Sequence, residues 1–117
     1  MIKAKTGADR RRSVRIERRI SVRVSGENKD GQKINEVGES TQVSYHGARM
    51  LTTHEYRPGI VLTLEGMTSP DSARYRVVWA YQEKDSPKWH IGLELVSGQP
   101  TVWGIDFAAA EKEKKVH

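Results

Sequence analysis

An arginine-rich cluster near the N-terminus carries nearly all of the excess positive charge of this chain. Residues 1–24 contain nine lysines or arginines and two acidic residues, a net charge of +7, whereas the whole 117-residue chain carries +5. The other ninety-three residues therefore sum to −2. Because a guanidinium group donates paired hydrogen bonds to a phosphate or to the edge of guanine, this composition predicts a ligand with those groups. The arginines concerned are Arg10, Arg11, Arg12, Arg15, Arg18, Arg19 and Arg23.

Two of these arginines, Arg11 and Arg15, are four positions apart, with Arg10 and Arg12 beside them as helpers. On a helix the pair would share a face, and on an extended segment the two side chains would hold a ligand from two sides. Taken alone, the spacing is common, and two alternatives are a solvated basic arm without a ligand and an arm that binds nucleic acid without specificity. The net negative charge of the remaining chain argues against a large DNA or RNA footprint.

The second group of chemistry-bearing residues is the segment Gln42-Val43-Ser44-Tyr45-His46-Gly47. Because side chains two residues apart share a face of a strand, Gln42 and Ser44 present two hydrogen-bonding groups on one side of a strand end. Gly47 then permits a left-handed turn or a close approach of the backbone. Taken alone, the segment also fits an ordinary hairpin in which Ser44 caps its own turn.

Alternating hydrophobic residues predict that short strands position both groups. Six short strands are predicted, separated by turns rich in glycine and proline. Period-two patterns, typical of half-buried strands, cover residues 20–24, 60–64, 73–81 and 89–95, a second strand is expected to end at residues 41–43, and residues 48–52 form the strand that returns from it. We therefore predict an all-β barrel or sandwich. The longest stripe is expected in the core rather than as a base-stacking platform, and it comprises Ala73, Tyr75, Val77, Trp79 and Tyr81.

We expect a single domain with two charged ends. Residues 1–10 are predicted to be a flexible basic arm, residues 11–107 the β domain, and residues 108–117 a charged tail or short helix. No apolar run approaches the roughly 20 residues of a membrane span, and no apolar stretch follows the basic N-terminus as in a secretory signal. These observations predict a soluble, cytoplasmic protein with no membrane span, either monomeric or dimeric.

Several kinds of active site are not expected. The chain has no cysteine, and its four histidines lack the spacing of a metal site, so we expect no metal and no cofactor. Ser44 and His46 would share a strand face, but no acidic residue follows to orient the histidine. The glycines form neither a Walker loop nor a dinucleotide fingerprint. We therefore predict that the protein is not an enzyme.

Taken together, the two motifs resemble those of the PilZ domain, a small bacterial β-barrel that binds the second messenger cyclic di-GMP. The family has an Arg-x-x-x-Arg segment before its first strand, matched here by Arg11 and Arg15. An [Asp/Asn]-x-Ser-x-x-Gly motif follows, matched at Ser44 and Gly47, with Gln42 in the position of the acid or amide. The closing segments, residues 76–79 and 90–95, are also similar, so the resemblance covers roughly residues 10–97.

The resemblance implies a six-stranded antiparallel β-barrel that acts as a cyclic di-GMP receptor in signal transduction. Arg11 and Arg15 would bind guanine and phosphate, Ser44 and Gln42 would contact a guanine edge, and Gly47 would shape the turn. Ordering of the basic arm around the ligand would then signal to a downstream protein. Because Gln42 is one methylene longer than asparagine, the alternative is a degenerate PilZ-like protein-interaction module that does not bind the nucleotide.

Overall fold

A computed structural model describes residues 14–107, so the predicted basic arm and C-terminal tail lie outside the described residues and stay predictions. Six antiparallel strands close into a barrel in the order β1-β2-β3-β6-β5-β4. The strands are β1 (Ser21–Glu27), β2 (Lys33–Val43), β3 (Gly47–Thr52), β4 (Val61–Gly66), β5 (Ser72–Gln82) and β6 (Trp89–Gly98). The prediction of an all-β, six-stranded antiparallel barrel is confirmed. Within residues 14–107, no helix is long and apolar enough to cross a membrane.

Buried and exposed side chains alternate along the strands, and the buried ones fill the interior of the barrel. Val22 and Val24 of β1 are fully buried, as are Leu62 and Leu64 of β4, whereas the residues between them are more exposed. A 3₁₀ helix at Pro100–Trp103 follows β6 and packs on the barrel. Its Trp103 indole N–H donates a hydrogen bond of 3.0 Å to the hydroxyl of Tyr75. Burial raises the pKa of Tyr75 to about 12, against the opposing effect of this hydrogen bond.

The segment before β1 is tied to β2 by backbone hydrogen bonds. Ile16 and Val43 exchange two bonds of 2.8 and 2.9 Å. The buried hydroxyl of Ser40 accepts from the Ile20 N–H at 2.9 Å and donates to the Arg18 carbonyl at 2.7 Å. Because both ends of the segment are anchored, the backbone of residues 16–20 follows the barrel wall.

The strand pairing of the described residues shifts at three places, and β-bulges at two of them change which residues of β2 and β5 face outward. In β2 the pairing with β3 shifts between Ser40 and Gln42, and in β5 the pairing with β6 shifts between Val77 and Trp79. A bulge inserts one extra residue, so the side chains beyond it change faces relative to strict alternation. The prediction that the whole stripe of β5 lies in the core is therefore wrong beyond Val77.

The outer position of Trp79 follows from its partner on β6. Ile91 and Leu93 are buried, so Gly92 between them faces outward. The Trp79 ring occupies the space where a side chain on Gly92 would lie. Tyr81 is 54% exposed and stacks on Trp79, with ring centroids 5.8 Å apart. Ala73, Tyr75 and Val77 do lie in the core, as predicted.

Candidate functional site

A cavity of about 220 Å³ opens where the end of β2, the start of β3 and the segment before β1 meet. We name it the clasp cavity. The structure brings four of the predicted site residues to its wall, and Arg10, Arg11 and Arg12 lie outside the described residues. The four are Arg15, Gln42, Ser44 and Gly47. Arg15 of the first motif and the described residues of the second, far apart along the chain, therefore meet at one place on the barrel.

Arg15 reaches the cavity because its neighbour is fixed in the opposite direction. Ile16 is partly buried against the core and bridges Val43 through two backbone hydrogen bonds. Successive side chains of an extended segment point to opposite sides, so Arg15 is directed outward and is exposed. The position of this arginine thus depends on the packing of an isoleucine rather than on a helix.

Gln42 faces the cavity because of the bulge in β2. Strict alternation from buried Ser40 would turn Gln42 inward and Val43 outward. The register shift reverses this order, since Val43 is fully buried and Gln42 is half-buried on the cavity wall. The amide of Gln42 is therefore available to a ligand, with Arg49 as its cross-strand partner on β3.

The turn between β2 and β3 keeps the hydroxyl of Ser44 close to the backbone. Ser44 Oγ accepts from the Gly47 N–H at 3.2 Å and lies 3.3 Å from the Gly47 carbonyl, to which it donates. This is the capped hairpin that the sequence also allowed. Because a hydroxyl oxygen has two lone pairs, Ser44 retains one acceptor position for a ligand.

Gly47 serves a close approach of strands rather than a left-handed turn. A Cβ atom at this position would overlap the carbonyl oxygen of Leu93 on β6. The backbone angle φ of Gly47 is not positive, so this residue does not adopt the left-handed conformation. Of the two roles that the sequence left open, the structure selects the close approach, which holds β3 against β6 beneath the cavity.

Among the lining residues that were not predicted as part of the site, Arg49 and Trp79 carry the side chains best suited to contact a ligand. Arg49 lies two positions beyond Gly47 on the same strand, a spacing that would have placed it on the same face. Its guanidinium carbon lies 5.7 Å from the centre of the Trp79 ring, a cation–π distance. Trp79 belongs to the stripe that was assigned to the core rather than to base stacking, and alternation alone could not correct this, because the bulge that turns Trp79 outward depends on the pairing of β5 with β6.

The clasp cavity combines positive charge with an aromatic face. Its lining contains the guanidinium groups of Arg15 and Arg49 but no aspartate or glutamate. Trp79 supplies a ring on which a planar group can stack. In the part of the chain that the structure describes, no group of three or more histidine, cysteine, aspartate or glutamate residues could hold a metal ion. The chemistry of the wall fits a planar, phosphorylated molecule.

Comparison with known proteins identifies the surrounding domain. The model of the PilZ domain family matches residues 9–102, a range that contains the arginine motif, all six strands and most of the 3₁₀ helix. No curated protein matches the chain.

Proposed function

Because the chain belongs to the PilZ domain family, whose members are generally non-enzymatic receptors of cyclic di-GMP, we propose that it binds this dinucleotide. The observation that carries the proposal is the meeting of Arg15, Gln42, Ser44 and Gly47 around one cavity without carboxylates. Cyclic di-GMP carries two guanines and two phosphates, and these are the groups that arginine binds in a bidentate manner.

Each wall residue has a proposed role that follows from its chemistry. Arg15 binds phosphate or the O6/N7 edge of guanine, and Arg11 binds from the other side with Arg10 and Arg12 as helpers. The Gln42 amide and the free lone pair of the Ser44 hydroxyl bond to a guanine edge. Trp79 stacks on a base. A good base-edge contact contributes about 1–3 kcal/mol.

The proposed signal is a change in the position of the basic arm. When Arg11 binds the same ligand as Arg15, the ligand holds the residues that precede Arg15, and with them the basic arm, against the barrel. That ordering costs conformational entropy, which the ligand contacts offset. A downstream protein would then distinguish the free from the bound form without any chemical reaction.

Isothermal titration calorimetry of the full chain with cyclic di-GMP tests this proposal. We expect saturable binding that weakens by about 10- to 150-fold in Arg15→Ala, because a charge-assisted contact contributes about 1.5–3 kcal/mol. The control is Arg74→Ala, which removes an exposed arginine of β5 outside the clasp cavity. Absence of heat at high micromolar ligand would contradict the proposal.

The departure at Gln42 favours a second candidate, a PilZ-like module that binds a protein and not the nucleotide. Titration of Gln42→Asn distinguishes the two. If the longer side chain misplaces its amide, the shorter residue should raise affinity by about 10- to 100-fold. A variant and a wild-type chain that both fail to bind would favour the interaction module.

A further inference from the structure

A second basic depression adjoins the clasp cavity. We name it the arginine groove, and it has a volume of about 400 Å³. Its lining comprises Glu17, Arg18, Arg19, Thr41, Gln42 and Arg49. Gln42 and Arg49 line both depressions, so the two form one continuous surface around the end of β2. Neither Arg18 nor Arg49 belongs to the two sequence motifs, and neither was given a role in ligand binding above.

Two of the three arginines in the groove have no carboxylate partner among residues 14–107. Arg19 donates to Glu39 at 2.9 Å and is thereby paired. Within that range Arg18 and Arg49 form no ion pair, and Glu17 forms none with either of them. Charged groups without a partner on a shared concave surface leave donors available to an anion.

The backbone beneath these arginines is held by named hydrogen bonds. The Arg18 carbonyl accepts from Ser40 Oγ at 2.7 Å, which fixes the residue against β2. On the facing side, Thr41 Oγ1 donates to the Arg49 carbonyl at 3.4 Å. The bulge in β2 also turns Thr41 and Gln42 toward the same depression. A ligand would therefore order two side chains rather than a loop.

We propose that Arg18 and Arg49 form a second phosphate subsite, an inference that rests on the proposed binding of cyclic di-GMP. A ligand with two phosphates would place one beside Arg15 and one in the arginine groove. Arg49 joins the two positions, since it stacks on Trp79 and also lines the groove. The phosphate in the groove belongs either to the ring in the clasp cavity or to a second ligand molecule.

Titration calorimetry with cyclic di-GMP on the full-length Arg18→Gln variant tests the subsite, because Arg18 lines the groove and not the clasp cavity. We expect about tenfold weaker binding for loss of one charge-assisted contact. The affinity of Arg18→Lys should lie between those of the wild type and Arg18→Gln, since lysine retains the charge but lacks the paired donors of a guanidinium group. Arg74→Gln is the matched control and should bind as wild type. Thermal unfolding should give the same Tm for all variants, because both arginines are exposed.

The stoichiometry of the same titrations identifies the source of the phosphate. Weaker binding with unchanged stoichiometry assigns the groove to the second phosphate of the bound ring. A fall from two ligands per chain to one assigns it to a second molecule. If Arg18→Gln binds with the wild-type affinity and stoichiometry while Arg15→Ala binds more weakly as expected, the subsite is overturned and the proposed function stands. A wild-type chain that binds no cyclic di-GMP overturns both.

Discussion

At one end of the β2–β3 hairpin a carboxylate is surrounded by donors, and at the other end arginines line open cavities. Glu36 of β2 accepts from the hydroxyl of Tyr56 at 2.5 Å, and from the backbone N–H and hydroxyl of Thr53 at 2.9 and 2.8 Å. His54 Nδ1 lies 3.1 Å from the same carboxylate. At the other end, Arg15 and Arg49 face the clasp cavity without a carboxylate in its lining.

This difference separates stability from binding within one hairpin. A satisfied buried polar cluster fixes the structure around it, because removing one member leaves the others without partners. Hydrogen-bond donors that have no carboxylate partner in the described residues and lie on a concave surface contribute little to folding but remain available to a ligand. We therefore expect substitutions around Glu36 to change the free energy of unfolding, and substitutions around the clasp cavity to change affinity.

The largest effect on stability should come from Glu36→Ala. The side chain of Glu36 is only 9% exposed, and its loss leaves the buried Tyr56 hydroxyl without its acceptor. We expect the free energy of unfolding to fall by about 2–3 kcal/mol in urea titrations. Glu39→Ala is the matched control, since it removes an exposed ion pair on the same strand and should cost under about 1 kcal/mol. Equal losses in the two variants would contradict the comparison.

The same variant should alter the dependence of stability on pH. Burial raises the pKa of Glu36, but the hydrogen bonds from Tyr56, Thr53 and His54 outweigh it, so the pKa lies below the ordinary value of 4.5. The stabilisation is therefore complete above pH 4.5 and is lost as the pH falls through the lower pKa of the folded state. When the free energy of unfolding is measured across this acid range, it should fall less steeply with decreasing pH in Glu36→Ala than in the wild type.

At the binding end, Trp79→Ala should weaken cyclic di-GMP binding by about tenfold or more. Stacking of a base on an aromatic side chain contributes about 1–3 kcal/mol, and the half-buried ring lies on the cavity wall. Trp79→Phe keeps an aromatic face and should retain most of the affinity in the same calorimetric titration. If Trp79→Ala binds cyclic di-GMP with the wild-type affinity, Trp79 does not stack on a base in the proposed site.

The smallest effect is expected for Ser40→Ala, which touches both properties. The hydroxyl of Ser40 holds the segment that carries Arg15 and Arg18, through its bonds to Ile20 and Arg18. We expect a loss of about 1 kcal/mol in unfolding free energy and a few-fold loss of affinity. Ser25→Ala, whose hydroxyl makes a single long bond of 3.5 Å, serves as the control. An unchanged affinity would show that the anchor contributes to folding alone.

The sequence by itself determined the all-β architecture and four of the eleven residues that line the clasp cavity. Six strands were predicted, and for most of them period-two alternation located the strand, because each strand buries one face in a shared core. For β2 only the end, residues 41–43, was predicted, and the structure begins this strand at Lys33. Arg15, Gln42, Ser44 and Gly47 were chosen from their chemistry and from the family resemblance, and they line one cavity. Whether they bind the nucleotide stays a prediction. So do the roles of Arg10, Arg11 and Arg12, which lie outside the described residues.

Only the tertiary structure decided which faces the side chains present. The bulges after Ser40 and Val77 turn Gln42 and Trp79 outward, and each depends on the register in which its strand pairs with the next strand along the chain. Arg49 joins the clasp cavity to the arginine groove because barrel closure brings β3 beside β6 and the segment before β1 beside β2. Alternation is a local property that one strand carries alone. A register shift is a property of two strands, so the sequence of either one does not contain it.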